Sequence, residues 1–235
     1  MAEEGGSRAH PEALLSARAL AVRVRQDFRA FVADAAYPCL GARAALRRGA
    51  YRFTTLGPLG SADATAGLAQ ALAEFAADPA SGGDYATFVA AFLDTAPGSE
   101  AEFEDRLWRQ LADLSAADPS AGWDPAVSDD PDNPHFSFSF AGTAFFVVGL
   151  HPESSRMARR FGWPALVFNP HEQFARMRAE GLYARFRDAV RAREMALQGS
   201  LNPNLGDFGQ ASDARQYSGR AVEPGWKCPF HRSRP

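Results

Sequence analysis

The run Tyr37-Pro38-Cys39-Leu40-Gly41-Ala42-Arg43 puts one of the chain's two cysteines directly after a proline and ahead of a basic, alanine-rich segment. A thiolate held at a helix start, with a glycine allowing close backbone approach, is one arrangement by which proteins ligate haem iron. A helix N-terminus also lowers a thiol's pKa and favours the thiolate. The second cysteine lies in Trp226-Lys227-Cys228-Pro229-Phe230-His231. Its Cys-Pro pair could offer sulfur in the same way, with His231 as a further donor. Equally, Cys228 is a small apolar residue that docks the tail.

Two histidines follow apolar runs. His151 ends Phe145-Phe146-Val147-Val148-Gly149-Leu150 and precedes a Pro turn, a place where site residues concentrate. Arg156, Arg159 and Arg160 then fall at i, i+3 and i+4, so a short helix would present three guanidinium groups on one face. Such a face suits an anion with two carboxylates or phosphates, haem propionates among them; a surface patch paired with acids is the plainer reading. His171 and Glu172, in Asn169-Pro170-His171-Glu172, open a helix after a strand. His171 reads as a ligand, an acid/base group or a satisfied structural histidine. Glu172 reads as a partner for a cation or as a charge that complements the helix start. The Asp129, Asp130, Asp132 run lacks the spacing and terminal Glu of a calcium loop and reads as a solvated turn. There is no His-x-x-x-His pair, no G-x-S-x-G elbow and no glycine-rich nucleotide loop.

The elements that must position these groups follow from periodicity. Leu20, Val24, Phe28 and Phe31 mark a helix from Pro11 to about Ala36, and Pro38 ends it. A second helix runs from Cys39 or Leu40 to Arg48 and closes at Gly49. Residues 51–55 read as a strand, Leu68, Leu72 and Phe75 as a helix, and 85–93 as a strand. Phe103, Leu107, Leu111 and Leu114 form a helical stripe. Residues 119–134 form a loop. Phe136, Phe138 and Phe140 alternate with Ser137 and Ser139, which predicts one buried and one polar face. Ala141-Gly142 turns this strand into 145–148, and 165–168 is a further strand. Helices resume over 171–179 and 182–198. Residues 199–235 form an ordered wrapping segment anchored by Phe208, Tyr217, Trp226, Cys228 and Phe230. The order predicts one α+β domain over 11–235, with a mostly antiparallel sheet packed by helices, after a disordered 1–10.

The chain has 235 residues, 46% of them hydrophobic, enough for one sizeable core. With 25 basic against 28 acidic residues, nothing suggests a nucleic-acid partner. No apolar run reaches membrane-spanning length, and no signal peptide opens the chain. Two cysteines fit a reduced, cytoplasmic protein better than a Cys39–Cys228 bridge.

Several of these motifs together resemble the YqcI/YcgG family. They are Tyr37-Pro38-Cys39, the Ser-Phe-Ser-Phe segment at 137–140 leading to His151-Pro152, Phe168-Asn169-Pro170-His171-Glu172-Gln173-Phe174, Gln216-Tyr217-Ser218-Gly219 and Cys228-Pro229-Phe230-His231. The Cys-Leu-Gly-Ala string also resembles the iron-ligating segment of cytochrome P450 enzymes. Many members of the YqcI/YcgG family have no known activity. Those that do are haem-dependent oxygenases that hydroxylate a guanidine nitrogen, in guanitoxin and D-cycloserine biosynthesis. The resemblance therefore implies haem b, O₂, an external electron donor with a redox partner protein, and arginine or an arginine-derived guanidine as substrate. The residue assignments rest on the chemistry above. Cys39 is the first choice of axial ligand and His151 the second, followed by Cys228, His171 and His231. Arg156, Arg159 and Arg160, with Arg43, would hold propionates, and Glu172, beside His171, would face the guanidinium. Two competing readings are a haem carrier or sensor without turnover, and a non-haem module whose arginines bind an anion.

Overall fold

In the computed structural model, residues 11–93, 96–118 and 122–232 are described. The expectation for 1–10 lies outside them, as does part of the 119–134 loop. The elements follow the order α1 (Pro11–Ala33), α2 (Leu40–Arg48), β1 (Tyr51–Leu56), α3 (Ala62–Ala77), β2 (Thr87–Phe92), α4 (Glu100–Ala116), β3 (Phe138–Phe140), β4 (Thr143–Leu150), β5 (Ala165–Pro170), α5 (His171–Ala179), α6 (Tyr183–Gln198) and α7 (Ala214–Tyr217). The five strands form one sheet in the order β1-β2-β5-β4-β3. Only β1 and β2 run parallel, joined by α3; the other neighbours are antiparallel. The architecture is the expected α+β domain. Among the described residues no helix is long and apolar enough to cross a membrane.

Alternation along the strands sorts side chains into two cores. Phe88, Ala90 and Phe92 of β2, Phe145 and Val147 of β4, and Leu166 and Phe168 of β5 face α3, α4 and the C-terminal segment. Val89, Ala91, Leu150 and Ala165 face the other way, toward Val24, Phe28 and Val32 of α1. Both faces of the sheet are thus covered at its centre, which explains why β2 is buried throughout. The same burial corrects the reading of the 136–140 segment. Ser137 and Ser139 are as buried as the phenylalanines around them. Ser137 donates to Asp213, and the Ser139 hydroxyl accepts the Asp124 N–H. In α1 the buried stripe is Val24, Phe28 and Val32, whereas Leu20 is exposed.

Local chemistry sets the element ends. Cys39 is the N-cap of α2, its Sγ accepting the Ala42 N–H at 3.4 Å, and Gly49 closes the helix at φ 66°. Ala141 and Gly142, at φ 51° and 72°, make the tight β3–β4 turn. The C-terminal segment wraps as expected, with Tyr217, Cys228 and Phe230 buried. The Tyr217 hydroxyl accepts the Phe138 N–H and donates to the Phe145 carbonyl, fastening the segment to the hairpin.

Gly149 is where β4 meets α4 most closely. A Cβ there would lie 2.6 Å from Phe103 Cε1 and 2.9 Å from Leu107 Cδ1. Both side chains are fully buried and have no room to retreat. Gly149→Ala should therefore cost about 1–3 kcal/mol of stability. Urea denaturation of the two proteins checks this; an unchanged midpoint would mean that the contact is slack.

Candidate functional site

The face of the sheet under α1 is not filled to its end. Beyond Phe28, a cavity of about 1070 Å³, its open mouth included, lies over Thr87, Val89, Val148, Val167 and Asn169. Tyr37, Pro38 and Cys39 form one wall and Arg156 and Arg159 another, while Val190 and Glu194 of α6 line it from that helix. A second lobe of about 750 Å³ lies beside it, lined by His171, Arg178, Tyr183, Asp207, Phe208 and Asp213 among others. The lobes share Phe146, Val190, Glu194, Leu205 and Gln216, so they adjoin across these side chains.

Helix α6 borders both lobes and has no buried residue. It lies between Gly181 and Gly199, both left-handed at φ 70° and 75°. Polar tethers hold it: Glu194 to Arg156, Arg187 and Arg191 to Asp207, Arg193 to the Ala35 and Tyr37 carbonyls, and Gln198 to the 155–157 backbone.

Cys39 lines the first lobe from the N-terminus of α2. Burial pushes its thiol up, against the pull of the Ala42 and Gly41 N–H groups and the Arg159 charge. This corrects the expected lowering: in the ligand-free chain desolvation outweighs the helix start. A metal ion at Sγ would reverse that balance, since a coordinating thiol is deprotonated outright. Tyr37, likewise raised chiefly by burial, feels both Cys39 and Arg159.

The three arginines do not share a helix face. Only Met157–Arg159 forms a 3₁₀ turn, and each guanidinium goes elsewhere. Arg156 is buried against Glu194 at 2.6 Å and also donates to Ser200. Arg160 is exposed and bonds the Ser154 carbonyl. Arg159 donates to the Tyr217 carbonyl at 2.9 Å and more weakly to that of Gly149. Among the described residues it has no carboxylate at salt-bridge distance, and burial lowers its pKa to about 10. Arg43 caps the end of α1 through the Asp34 and Ala35 carbonyls and lines neither lobe.

His171 sits in the second lobe within a buried polar chain. The Ser137 hydroxyl donates to Asp213 Oδ2 at 2.7 Å and lies 3.3 Å from His171 Nδ1. Arg178 Nη2 lies 3.2 Å from His171 Nε2. Because guanidinium only donates and the serine proton goes to Asp213, the network assigns the proton of a neutral imidazole to Nδ1. Burial, then the Arg178 charge, lower His171 to about 4. Glu172 is exposed and lines neither lobe. His231 is exposed as well, and Cys228 packs in the core beneath α4, its thiol raised to about 12 by burial.

His151 lies on the opposite face of the sheet from Cys39. Its ring stacks on Phe103 at 4.2 Å, and neither ring nitrogen finds a partner among the described residues. Asp213, Arg178, Ser137, Tyr37 and Glu194 were missed as site residues. Tyr37 stands next but one to Cys39 and Arg178 follows His171 by seven residues on α5, whereas Ser137 and Asp213 are 76 residues apart. No local motif announces such a pair.

These groups make a pH prediction. Burial lowers His151 from 6.5 to about 4, so the unfolded chain takes the proton first. Its contribution is complete above about pH 6.5 and is lost as pH falls toward 4. His171 behaves alike. Asp213, raised by burial from 3.8 to about 6, acts oppositely and favours the folded chain as pH falls from 6 toward 4. His151→Phe should hold or gain stability at pH 7 and reduce the acid loss by about 3 kcal/mol. Denaturation at pH 7 and pH 4.5 reads both effects; an unchanged acid slope would show that His151 ionises as freely as in water.

The model of the YqcI/YcgG family matches residues 28–231. The chain is 27% identical over 205 residues to the uncharacterized protein YqcI of Bacillus subtilis (strain 168), covering 83% of this chain and 80% of that one. It is 29% identical over 206 residues to the uncharacterized protein YcgG of the same organism, with the same coverage. No solved structure matches the chain significantly.

Proposed function

This chain belongs to the YqcI/YcgG family, and we propose that it is a haem-dependent oxygenase that hydroxylates a guanidine nitrogen of a small molecule. The observation that carries the reading is a sulfur donor, Cys39, on a largely apolar hollow beside Arg159, which has no carboxylate at salt-bridge distance among the described residues. The donor set fits the group. Gly41 and Ala42 offer N–H groups that stabilise a thiolate. The sheet supplies a floor of Val89, Val148 and Val167, and Arg159 supplies the charge a propionate needs. Arg156 backs this wall with its charge already balanced by Glu194. Haem so held would supply O₂ activation, with a thiolate ligand favouring cleavage of the O–O bond.

In the overall reaction one oxygen atom enters a guanidine N–H bond and the other leaves as water. Two electrons from an external donor protein and two protons complete the balance. The chain's own part is to exclude water, orient the guanidine in the lobe adjoining Cys39 and hold the sulfur. Two unpaired cysteines suit a reducing cytoplasm.

Haemin titration tests the reading. The protein should bind about one equivalent and, reduced under carbon monoxide, give the Soret position of thiolate rather than imidazole ligation. Cys39→Ala should remove that signature, while Cys228→Ala should leave it. A protein that takes up no haemin would refute the proposal. Haem retained without product from arginine, O₂ and reductant would favour a carrier or sensor.

A further inference from the structure

Positive charge is concentrated in one stretch of the chain. Residues 18–52 make most of α1, all of α2 and the start of β1, and they hold eight of the 25 basic residues but two of the 28 acidic ones. Among the described residues only two of these arginines have a carboxylate at salt-bridge distance, Arg23 with Asp27 and Arg52 with Asp78. The fold gathers others at one corner. Arg25 donates to the Phe53 carbonyl at 2.8 Å and lies over that ring, and Arg29 donates to the Tyr51 hydroxyl at 2.9 Å. Both therefore lean from α1 onto β1. Arg47 and Arg48 end α2 just ahead of the same strand. All four are exposed, and the groups they touch are neutral. Other arginines of the molecule are paired instead: Arg106 with Glu102, Arg176 with Asp84, Arg187 with Asp207 and Arg220 with Glu104.

The place of this corner matters as much as its charge. Ala42, Ala45 and Leu46 of α2, with Phe28 and Tyr51, line the lobe that holds Cys39. The arginines stand on the outside of that wall. One helix, about 10–12 Å across with its side chains, separates them from the lobe. Like charges gathered on one surface repel each other, steer an anionic partner and are relieved by its contact. A long anionic polymer would run beyond the corner onto a chain whose net charge is -3, whereas a compact acidic protein meets the corner alone. We infer that the corner formed by α1, α2 and β1 is the docking surface of an acidic electron-carrier protein, whose carboxylates face Arg25, Arg29, Arg47 and Arg48. The inference rests on the oxygenase reading for the need of electrons, whereas the charge asymmetry stands without haem.

Biolayer interferometry on the full chain, with and without haemin, tests the surface. The probe is a plant-type ferredoxin, an acidic iron–sulfur carrier, and a DNA duplex is the competing anion. Ferredoxin should bind at low salt and weaken about tenfold or more between roughly 0.02 and 0.2 M salt. Arg47→Glu should weaken it about fivefold and the Arg47→Glu, Arg48→Glu pair further. Arg109→Glu makes the same charge change at an exposed position on α4, over the other core, and should alter binding less than about twofold. Equal losses from Arg47→Glu and Arg109→Glu would show that net charge alone matters and overturn the inference. Absence of ferredoxin binding would overturn it too, as would a duplex that binds more tightly through the same arginines. Should Arg47→Glu fail to fold, Arg47→Gln against Arg109→Gln reads the same contrast. Haemin uptake is read separately by absorbance. Site-selective ferredoxin binding without haemin uptake sinks the oxygenase reading and leaves a surface for an acidic protein; uptake without selective binding does the reverse.

Discussion

Everything in this molecule depends on a sheet that buries apolar side chains on both faces. Period-two alternation sends Phe88, Phe145 and Phe168 toward α3 and α4, and Val89, Val148 and Val167 to the other side. The first face is closed by large rings, with Gly149 trimmed so that Phe103 and Leu107 can sit against the backbone. The second is closed by α1 only in part. The smaller valines there, with Thr87 and Asn169, leave space where a third phenylalanine layer would have filled it. The hollow is a consequence of side-chain size on one face of β2, β4 and β5.

Polar groups buried beside that hollow are arranged so that few stand alone. Tyr217 ties the C-terminal segment to β3 and β4 and, through its carbonyl, holds the Arg159 guanidinium. Asp213 precedes α7 and reaches Ser137, which brings a carboxylate from the tail to the edge of the sheet. A side chain is thus delivered to the site by a segment whose own anchors lie in the opposite core. The core under α3 and α4 and the hollow consequently meet at α7.

The fold was largely legible because its signals are local. Helical stripes, the Ala141-Gly142 turn and the Pro38 and Gly49 boundaries each sit within a few residues. The hairpin's polar face was misread because alternation reports pattern and not environment: Ser137 and Ser139 alternate like solvent-facing residues, yet each finds a buried partner from a distant segment. Of the residues the sequence singles out for the candidate site, Cys39, Arg156, Arg159 and His171 line the two lobes. The arginine face was drawn on an ideal helix, but the chain makes one 3₁₀ turn there and disperses the guanidiniums. Glu172 was chosen for proximity in sequence to His171, and helix geometry turns it out to solvent. Asp213 had no local signature, because its partner Ser137 comes from a distant segment, whereas Arg178 stands seven residues after His171 on α5.

Helix α6, between its two left-handed glycines, contributes no side chain to either core. Its fastenings are ion pairs and hydrogen bonds, some of them exposed and replaceable by water at modest cost, whereas the Arg156–Glu194 pair is buried. The wall over the hollow is therefore held by polar contacts and not by core packing. Traffic into the interior and the thermodynamic integrity of the body are entrusted to different pieces of chain, so a guest could come and go while the sheet and its aromatic packing stay undisturbed.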